Sequence, residues 1–224
     1  MLLNGSDAAF SNVTSYPVGD NSSHVSVTDL DGDGRDEILA TSAGENALFV
    51  LPNLGDGTFD VARSVRVGST PFASVGQDLD GDGDNDVVVS NWISGELSVL
   101  FNDGIGMFPD TVAYPVVTPR FVGTIDFDSD GDFDLLVASS QKLVLFENDS
   151  IGRFTQSSST TLVNAPRSFR AVDVDGDGRP DVVTYSEAGN AVTIVLNAGG
   201  GRFIPALDIN VGREPRFAAT ATWT

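Results

Sequence analysis

Cysteine is missing from this chain of 224 residues, so neither disulfide bonds nor thiolate metal sites hold the fold together. Basic residues are scarce: 12 Lys and Arg stand against 32 Asp and Glu, and the formal net charge is −20. No basic stripe is present to neutralise phosphates, which excludes nucleic acid as a partner. Long apolar runs are absent as well. None approaches the roughly 18 residues of a membrane span, so no membrane-spanning segment is predicted.

Helical patterning and catalytic motifs are also lacking. No stretch keeps an apolar period of about 3.6 residues, which argues against helices. Histidine occurs once, at His24, and no nucleophile motif of the G-x-S-x-G kind is found. We therefore predict that the chain is not an enzyme. The sequence does have a hydrophobic content of 41%, enough for a packed core, and 24 glycines, which indicate many turns.

A nine-residue acidic loop occurs four times, at residues 29–37, 78–86, 126–134 and 173–181. Acidic residues at positions 1, 3, 5 and 9 would repel one another without a cation between them. Glycines at positions 4 and 6 let the backbone turn tightly enough to point the carboxylates inward. Converging carboxylate oxygens are what Ca²⁺ requires, with six to eight oxygens at about 2.3–2.6 Å. We interpret each copy as a calcium loop.

The loops hold most of the acidity and do not follow the EF-hand pattern. Nineteen of the 32 acidic residues lie in them, so the negative charge mainly reflects ligand chemistry. An EF-hand needs a bidentate Glu at loop position 12. That position holds Ala40, Val89, Val137 and Thr184. An EF-hand is therefore excluded.

The loops belong to an internal repeat of about 48 residues with an all-β pattern. In the first copy, β-rich runs at residues 25–28, 38–40, 47–51 and 61–67 predict four strands, which we call A to D. The loop lies between A and B, strand C ends at an Asn, and a Gly-rich turn with a Phe follows. Four short strands per repeat predict a single β-propeller domain over residues 1–224. A β-solenoid is the alternative, although its repeats are shorter.

The pattern D-x-D-G-D-G-x-x-D, a hydrophobic strand, an Asn and a G-x-G-x-F turn resembles the FG-GAP/VCBS repeats. These repeats occur in bacterial exported proteins and in integrin α-subunit propellers, and the resemblance covers nearly the whole chain. It implies four Ca²⁺ ions, one per full repeat. The chain departs from the pattern at Glu37, which replaces Asp at position 9, and at Ser129, which replaces Gly at position 4.

The resemblance also implies a ligand set for each ion. Positions 1, 3, 5 and 9 would supply carboxylates: Asp29, Asp31, Asp33 and Glu37; Asp78, Asp80, Asp82 and Asp86; Asp126, Asp128, Asp130 and Asp134; Asp173, Asp175, Asp177 and Asp181. Position 7 would supply a backbone carbonyl, from Arg35, Asp84, Asp132 and Arg179.

The two ends of the chain match parts of a repeat. Residues 1–19 match strands C and D, and residues 215–224 match strand A, with Thr222 and Thr224 in place of the first two loop carboxylates. The predicted count is half a blade, four full four-stranded antiparallel blades and one further strand. This describes either a propeller of about five blades with an irregular closing blade or a piece of a larger one. Open blade edges would favour self-association.

A second candidate site lies on the face opposite the loops, where the D–A and B–C connections gather. Arg120, Arg167 and Arg216 each follow the proline that precedes strand A. Together they would ring the channel mouth and hold a carboxylate or sulfate, or else they are independent surface arginines. Trp92, in a B–C connection, would stack on a sugar or pack between blades.

These observations predict a calcium-binding propeller that acts as an extracellular binding or adhesion scaffold, with calcium mainly structural. Its partner would be a protein or a glycan. The alternatives are a carbohydrate-binding lectin and an accessory domain of a larger exported enzyme. Residues 1–5 show no secretory signal, so an exported form would have lost its signal or carry it outside this sequence.

Overall fold

The structure is a computed structural model that describes residues 2–4 and 10–215. Within these residues the chain forms eighteen β-strands and no helix, and consequently no helix that could cross a membrane. Strands β1 (Leu2–Asn4) and β2 (Phe10–Val13) form an antiparallel hairpin. The other sixteen form four separate four-stranded antiparallel sheets, each a meander in chain order.

The four sheets are the predicted blades. Blade 1 contains β3 (Ser22–Thr28), β4 (Glu37–Ser42), β5 (Ala47–Leu51) and β6 (Arg63–Arg66). Blade 2 contains β7 (Pro71–Gln77), β8 (Asp86–Asn91), β9 (Glu96–Phe101) and β10 (Asp110–Pro115). Blade 3 contains β11 (Pro119–Ile125), β12 (Asp134–Ser139), β13 (Lys142–Asn148) and β14 (Phe154–Thr161). Blade 4 contains β15 (Ser168–Val172), β16 (Asp181–Ser186), β17 (Ala191–Asn197) and β18 (Phe203–Asn210).

This architecture confirms the predicted all-β class of four-stranded antiparallel blades. The β1–β2 hairpin falls where strands C and D of a half blade were expected. The further strand expected after residue 215 lies outside the described residues. Four complete blades and one hairpin are therefore observed, and the total number of blades in the ring stays a prediction.

The hydrophobic core lies between the blades. Between blades 1 and 2, Leu39, Leu48, Val87 and Leu100 form one buried cluster, and similar clusters join blades 2 to 3 and 3 to 4. In blades 1 to 3 the second and third strands are covered on both faces, and every residue of β8 is buried, whereas β17 of blade 4 alternates between buried and half-buried residues. Burial on both faces explains why these strands have continuous apolar runs instead of alternating polar and apolar residues.

The first strands of neighbouring blades contact one another, β3 with β7, β7 with β11 and β11 with β15. Gly76 permits this approach, because a Cβ there would come within 2.4 Å of Cγ2 of Thr28. Beside it, Ser26 Oγ and Ser74 Oγ share a hydrogen bond of 2.9 Å, and His24 Nδ1 accepts one of 3.3 Å from the Ser74 N–H. Polar contacts between first strands thus supplement the apolar core.

In blades 2 to 4, the Asn at the end of the third strand joins its blade to the preceding one, a role that the sequence pattern did not reveal. Asn102 Nδ2 donates to the carbonyl of Leu30 in blade 1 at 2.7 Å and to that of Asn85 in its own blade at 3.0 Å. Asn148 and Asn197 make the same bond to the preceding blade, at 2.8 and 2.9 Å. These three side chains therefore act as inter-blade clamps.

We predict that Asn102→Ala destabilises the protein by about 2–4 kcal/mol, because it leaves two carbonyls and the Gly106 N–H without their side-chain partner. Asn53→Ala is the matched control. Asn53 occupies the same place in blade 1 and is half-buried, and among the described residues its side chain donates only to the Asp36 carbonyl of its own blade. Denaturant unfolding in millimolar calcium measures both, and equal losses in the two variants would contradict the clamp.

Burial lowers the pKa of His24 below its ordinary value. The native state then binds this proton less tightly than the unfolded chain, so the stability from neutral His24 is lost as pH falls through the His24 titration. Because the chain has one histidine, a proton NMR titration of its ring is unambiguous. We expect a lower midpoint in the native protein with calcium than in urea. An equal or higher native midpoint would refute the predicted pKa shift.

Candidate functional site

Each acidic loop joins the first and second strands of a blade, so all four lie at corresponding corners of the sheets. In each loop, three carboxylates have oxygens within 4.8 Å of one another. Ligand oxygens about 2.4 Å from one ion lie at most about 4.8 Å apart, so this spacing is compatible with a shared Ca²⁺. The groups are Asp29, Asp31 and Asp33; Asp78, Asp80 and Asp86; Asp126, Asp128 and Asp130; Asp173, Asp175 and Asp181.

Position 1 is held by the backbone of its own loop. Asp29 accepts hydrogen bonds of 2.9 Å from the N–H groups of both Gly32 and Gly34. Both glycines have positive φ, 71° and 82°, as the tight turn requires. Loops two and four repeat both bonds, to Asp78 and Asp173.

Loop three differs from the other loops at this point. Ser129, in place of the first glycine, has a φ of 65°, a conformation that costs a non-glycine residue about 1 kcal/mol. Asp126 accepts neither of the two backbone bonds among the described residues, and its buried Oδ1 has no partner. An unpartnered buried carboxylate oxygen, aligned with a metal-ligand position, fits a cation that would complete its coordination.

The acidic residue at position 9 is buried in all four loops; these residues are Glu37, Asp86, Asp134 and Asp181. Both carboxylate oxygens of Asp86 accept backbone N–H bonds, from Leu79 at 3.0 Å and Asn102 at 2.9 Å. The same pair of bonds occurs at the other three positions. The longer Glu37 therefore reaches the same two backbone sites as the aspartates. The position that was predicted only as a ligand also ties the loop to the third strand.

Burial, opposed by these two backbone bonds, raises the pKa of Asp86 and of Asp134 to about 6. Burial likewise raises the pKa of Glu37 and of Asp80. The negative charges of neighbouring loop aspartates raise these pKa values further. Without a cation, the ionised carboxylates are thus electrostatically unfavourable in the folded chain.

Two of the expected ligand positions show additional contacts. The guanidinium groups of Arg35 and Arg179, at position 7, pair with the carboxylates at position 5, Asp33 and Asp177. In loop three, Asp132 at position 7 accepts a 2.6 Å bond from Ser150 Oγ. Asp82 and Asp177 are not among the three-membered groups of their loops, nor are Glu37 and Asp134. The role of position 7 as a carbonyl ligand stays a prediction.

On the opposite face, three of the predicted ligand residues come together. The Arg120 guanidinium carbon lies 5.2 Å from the centre of the Trp92 ring and 5.9 Å from that of Phe72. Arg167 lies 5.9 Å from the same Phe72 ring. Trp92, Arg120 and Arg167 line one cavity of about 500 Å³. The fourth candidate, Arg216, lies outside the described residues.

The Arg120 guanidinium stacks against the Trp92 ring, which favours a packing role for this tryptophan over stacking on a sugar. Arg167 is also paired with Glu187, at 3.4 Å. Sequence reasoning assigned no role to Phe72, whose ring contacts both arginines and forms the centre of this cluster. Its signal was present, since Phe72 follows a proline at the same place in its repeat as Arg120 and Arg167 do in theirs.

Comparison with known proteins identifies a repeat family and a fold. Residues 126–184 match the family model of the FG-GAP-like repeat. No curated protein sequence matches the chain. The solved neighbours below share at most 24% of their sequence with it, so they show the fold alone.

Three solved structures illustrate the fold. A putative 6-phosphogluconolactonase from Bacteroides uniformis is 17% identical with a TM-score of 0.66, over 96% of this chain and 65% of that one. An Agrocybe aegerita lectin that recognises non-reducing terminal N-acetylglucosamine is 24% identical with a TM-score of 0.55, over 81% and 50%. The WD40 domain of SCAP from fission yeast is 16% identical with a TM-score of 0.52, over 85% and 45%.

The chain thus spans about half to two thirds of the length of these neighbours. The family match covers the third acidic loop, strands β12 to β15, the whole fourth loop and the first residues of β16. The protein is a propeller-type all-β chain that carries an FG-GAP-like repeat at residues 126–184.

Proposed function

We propose that the protein is a calcium-stabilised propeller that serves as a binding or adhesion scaffold outside the cell. The observation that carries this proposal is the recurrence, at one corner of every described blade, of three carboxylate oxygens within 4.8 Å. Four such groups are unfavourable without a cation. They use the hard oxygen ligands that Ca²⁺ prefers.

Calcium at these sites would be mainly structural. Sites of the extracellular type bind Ca²⁺ with Kd of about 10⁻⁴–10⁻³ M and fill in millimolar calcium. At ten times Kd, each site adds about 1.4 kcal/mol to the stability of the native state, and four sites add about 6 kcal/mol. This contribution is comparable to the whole stability of many domains, which explains how a chain with so many clustered carboxylates would fold.

A catalytic role is not proposed. The one histidine of the chain, His24, is half-buried in the first strand of blade 1, where it accepts a backbone hydrogen bond. The clustered carboxylates are assigned to calcium in this proposal.

A lectin is the second candidate, favoured by the cavity beside Trp92, Arg120 and Arg167. The Agrocybe aegerita lectin resembles this chain in fold and recognises a sugar, which supports a sugar as the candidate ligand of the cavity. An accessory domain of a larger exported enzyme is a further alternative, because this chain spans only 50% and 65% of the length of the lectin and the lactonase structures.

Removal of calcium tests the main proposal. We expect EDTA to lower the melting temperature by about 10–20 °C relative to millimolar Ca²⁺, as about 6 kcal/mol implies for a chain of this size. Millimolar Mg²⁺ is the control, and should restore less than half of the shift, because Mg²⁺ sheds its water reluctantly. Equal melting temperatures in EDTA and in calcium would refute the calcium proposal.

Asp80→Asn should change stability in opposite directions with and without calcium. The amide keeps an oxygen for the 3.2 Å bond from the Asp82 N–H while removing the charge. Because burial and neighbouring charges raise the pKa of Asp80, the variant should melt at the same or a higher temperature than wild type in EDTA. In calcium it should melt lower, since a charged ligand is lost.

The control for Asp80→Asn is Asp110→Asn, an exposed acid at the start of β10, away from the loops. It should leave both melting temperatures nearly unchanged. If Asp80→Asn lowers the melting temperature equally in EDTA and in calcium, Asp80 has a purely structural role.

A further inference from the structure

The cavity on the face opposite the acidic loops lies between the second, third and fourth blades. Trp92 follows β8, Arg120 begins β11, and Arg167 precedes β15. Phe72, at the start of β7, supports both arginines. Three blades therefore contribute to one cavity, whose volume of about 500 Å³ lies in the range of ligand sites.

The guanidinium group of Arg120 is held in place but has no anionic partner in the part of the chain that the structure describes. Two aromatic rings hold it, at 5.2 and 5.9 Å. Within residues 2–4 and 10–215, no carboxylate pairs with it and no acceptor takes a hydrogen bond from its side chain. A guanidinium has five N–H donors in a planar fork that matches a carboxylate. Arg120 thus offers a pre-organised and unused anion-binding group.

The local charge of the cavity is opposite to that of the whole protein. Its lining includes Arg120 and Arg167 as cations and Glu187 as the one carboxylate, which pairs with Arg167 at 3.4 Å. The chain as a whole has a formal charge of −20. Both guanidinium carbons lie 5.9 Å from the centre of the Phe72 ring and both residues line the cavity, so a bound anion would be attracted by two cations.

The rest of the lining suits hydroxyl groups. Thr118, Ser140, Gln141 and Ser186 contribute hydroxyl and amide groups to the lining. The Thr118 and Ser140 hydroxyls share a 2.6 Å hydrogen bond, and Ser186 Oγ accepts one of 3.1 Å from the Gly189 N–H, so each hydroxyl keeps part of its hydrogen-bonding capacity for a ligand. A sugar ring that carries both a carboxylate and several hydroxyls would bind the Arg120 guanidinium and the polar side chains of the lining at the same time. An acidic peptide side chain would use the guanidinium group but has no hydroxyl groups to meet the remaining hydrogen-bonding capacity of this lining. This difference favours a saccharide over a peptide.

We propose that this cavity binds the carboxylate of an acidic sugar, a uronate, through Arg120, with Arg167 as the second cation. The proposal rests on the proposed function as a binding scaffold and specifies its ligand class. Trp92 and Phe72 act chiefly as the aromatic support of the arginines. A carboxylate is favoured over a sulfate because its planar pair of oxygens matches the guanidinium fork.

The test compares two sugars, methyl glucuronide and methyl glucoside, which differ only in having a carboxylate or a hydroxymethyl group at C6. Binding to the calcium-loaded protein is measured by ligand-observed NMR at low salt. We expect the glucuronide to bind at least about tenfold more tightly, as for a charge-assisted contact. The methyl ester of the glucuronide should behave like the glucoside, and added salt should weaken glucuronide binding only.

Variants locate the site. Arg120→Gln should weaken glucuronide binding by about tenfold or more, and Arg120→Lys should fall between it and wild type, because lysine keeps the charge but loses the fork. Arg153→Gln is the matched control: Arg153 is exposed in the turn before β14, on the loop side, and its loss should leave the affinity unchanged.

Equal binding of glucuronide, ester and glucoside would overturn the proposal, as would no binding of glucuronide or an affinity unaffected by Arg120→Gln. Tighter binding of an acetylated, glutamate-containing peptide would assign the cavity to a protein partner instead, which also overturns it. Because the ester comparison uses the wild-type chain, it holds even if a variant fails to fold. Failure of the uronate with a large calcium-dependent melting shift would leave the scaffold proposal standing.

Discussion

A buried carboxylate at the start of each second strand is the constraint on which the rest of the structure depends. The side chain of Asp86 accepts one backbone bond from its own loop and one from Asn102 at the end of the third strand. Asn102 in turn reaches back to the Leu30 carbonyl of the preceding blade. A single chain of contacts therefore leads from the acidic loop, through the blade, to its neighbour. Binding of a cation at the loop would act on the packing between blades as well as on one turn.

This arrangement explains why the acidic face and the cation-bearing face are separate. Burial and mutual repulsion raise the pKa of several loop carboxylates, so their ionised forms need a compensating positive charge, which the proposed Ca²⁺ would supply. An arginine at the loops can satisfy part of that need, as Arg35 does for Asp33. Among the described residues, the arginines at the other ends of the first strands face no carboxylate cluster: Arg167 pairs with Glu187, and Arg120 is held by aromatic rings. Blades 3 and 4 thus carry an arginine at the end of the first strand opposite the acidic loop, whereas blades 1 and 2 carry Ser23 and Phe72 there.

Sequence reasoning predicted the strands well because packing between blades leaves a simple signature. The run at residues 47–51 was predicted as a strand and is β5, since burial on both faces selects continuous apolar residues. Strand ends were less accurate: 25–28 lies within the longer Ser22–Thr28, whose first residues are exposed and polar. The loops could be found because ligand positions fix both residue type and spacing. The inter-blade role of Asn102 could not, because a hydrogen bond between residues 72 positions apart leaves no local pattern.

The burial of loop position 2 shows how far the repeat geometry reaches. Leu30, Leu79 and Phe127 are 1%, 2% and 0% exposed, and the carbonyl of each accepts a bond from the Asn of the following blade. Val174, at the same position in the fourth blade, is 44% exposed. The apolar character of this position is therefore explained by the neighbouring blade and not by the loop itself.

The same reasoning separates positions that the fold restricts from those it leaves free. A substitution at the ninth loop position or at the clamp asparagine removes bonds on which two blades depend. The residue at the place of Arg120 varies between repeats, as Ser23, Phe72, Arg120 and Arg167, while the strand pairing beside it stays intact. Chemistry can change at these positions at little cost to the fold, which makes that face the suitable place for a specific ligand site.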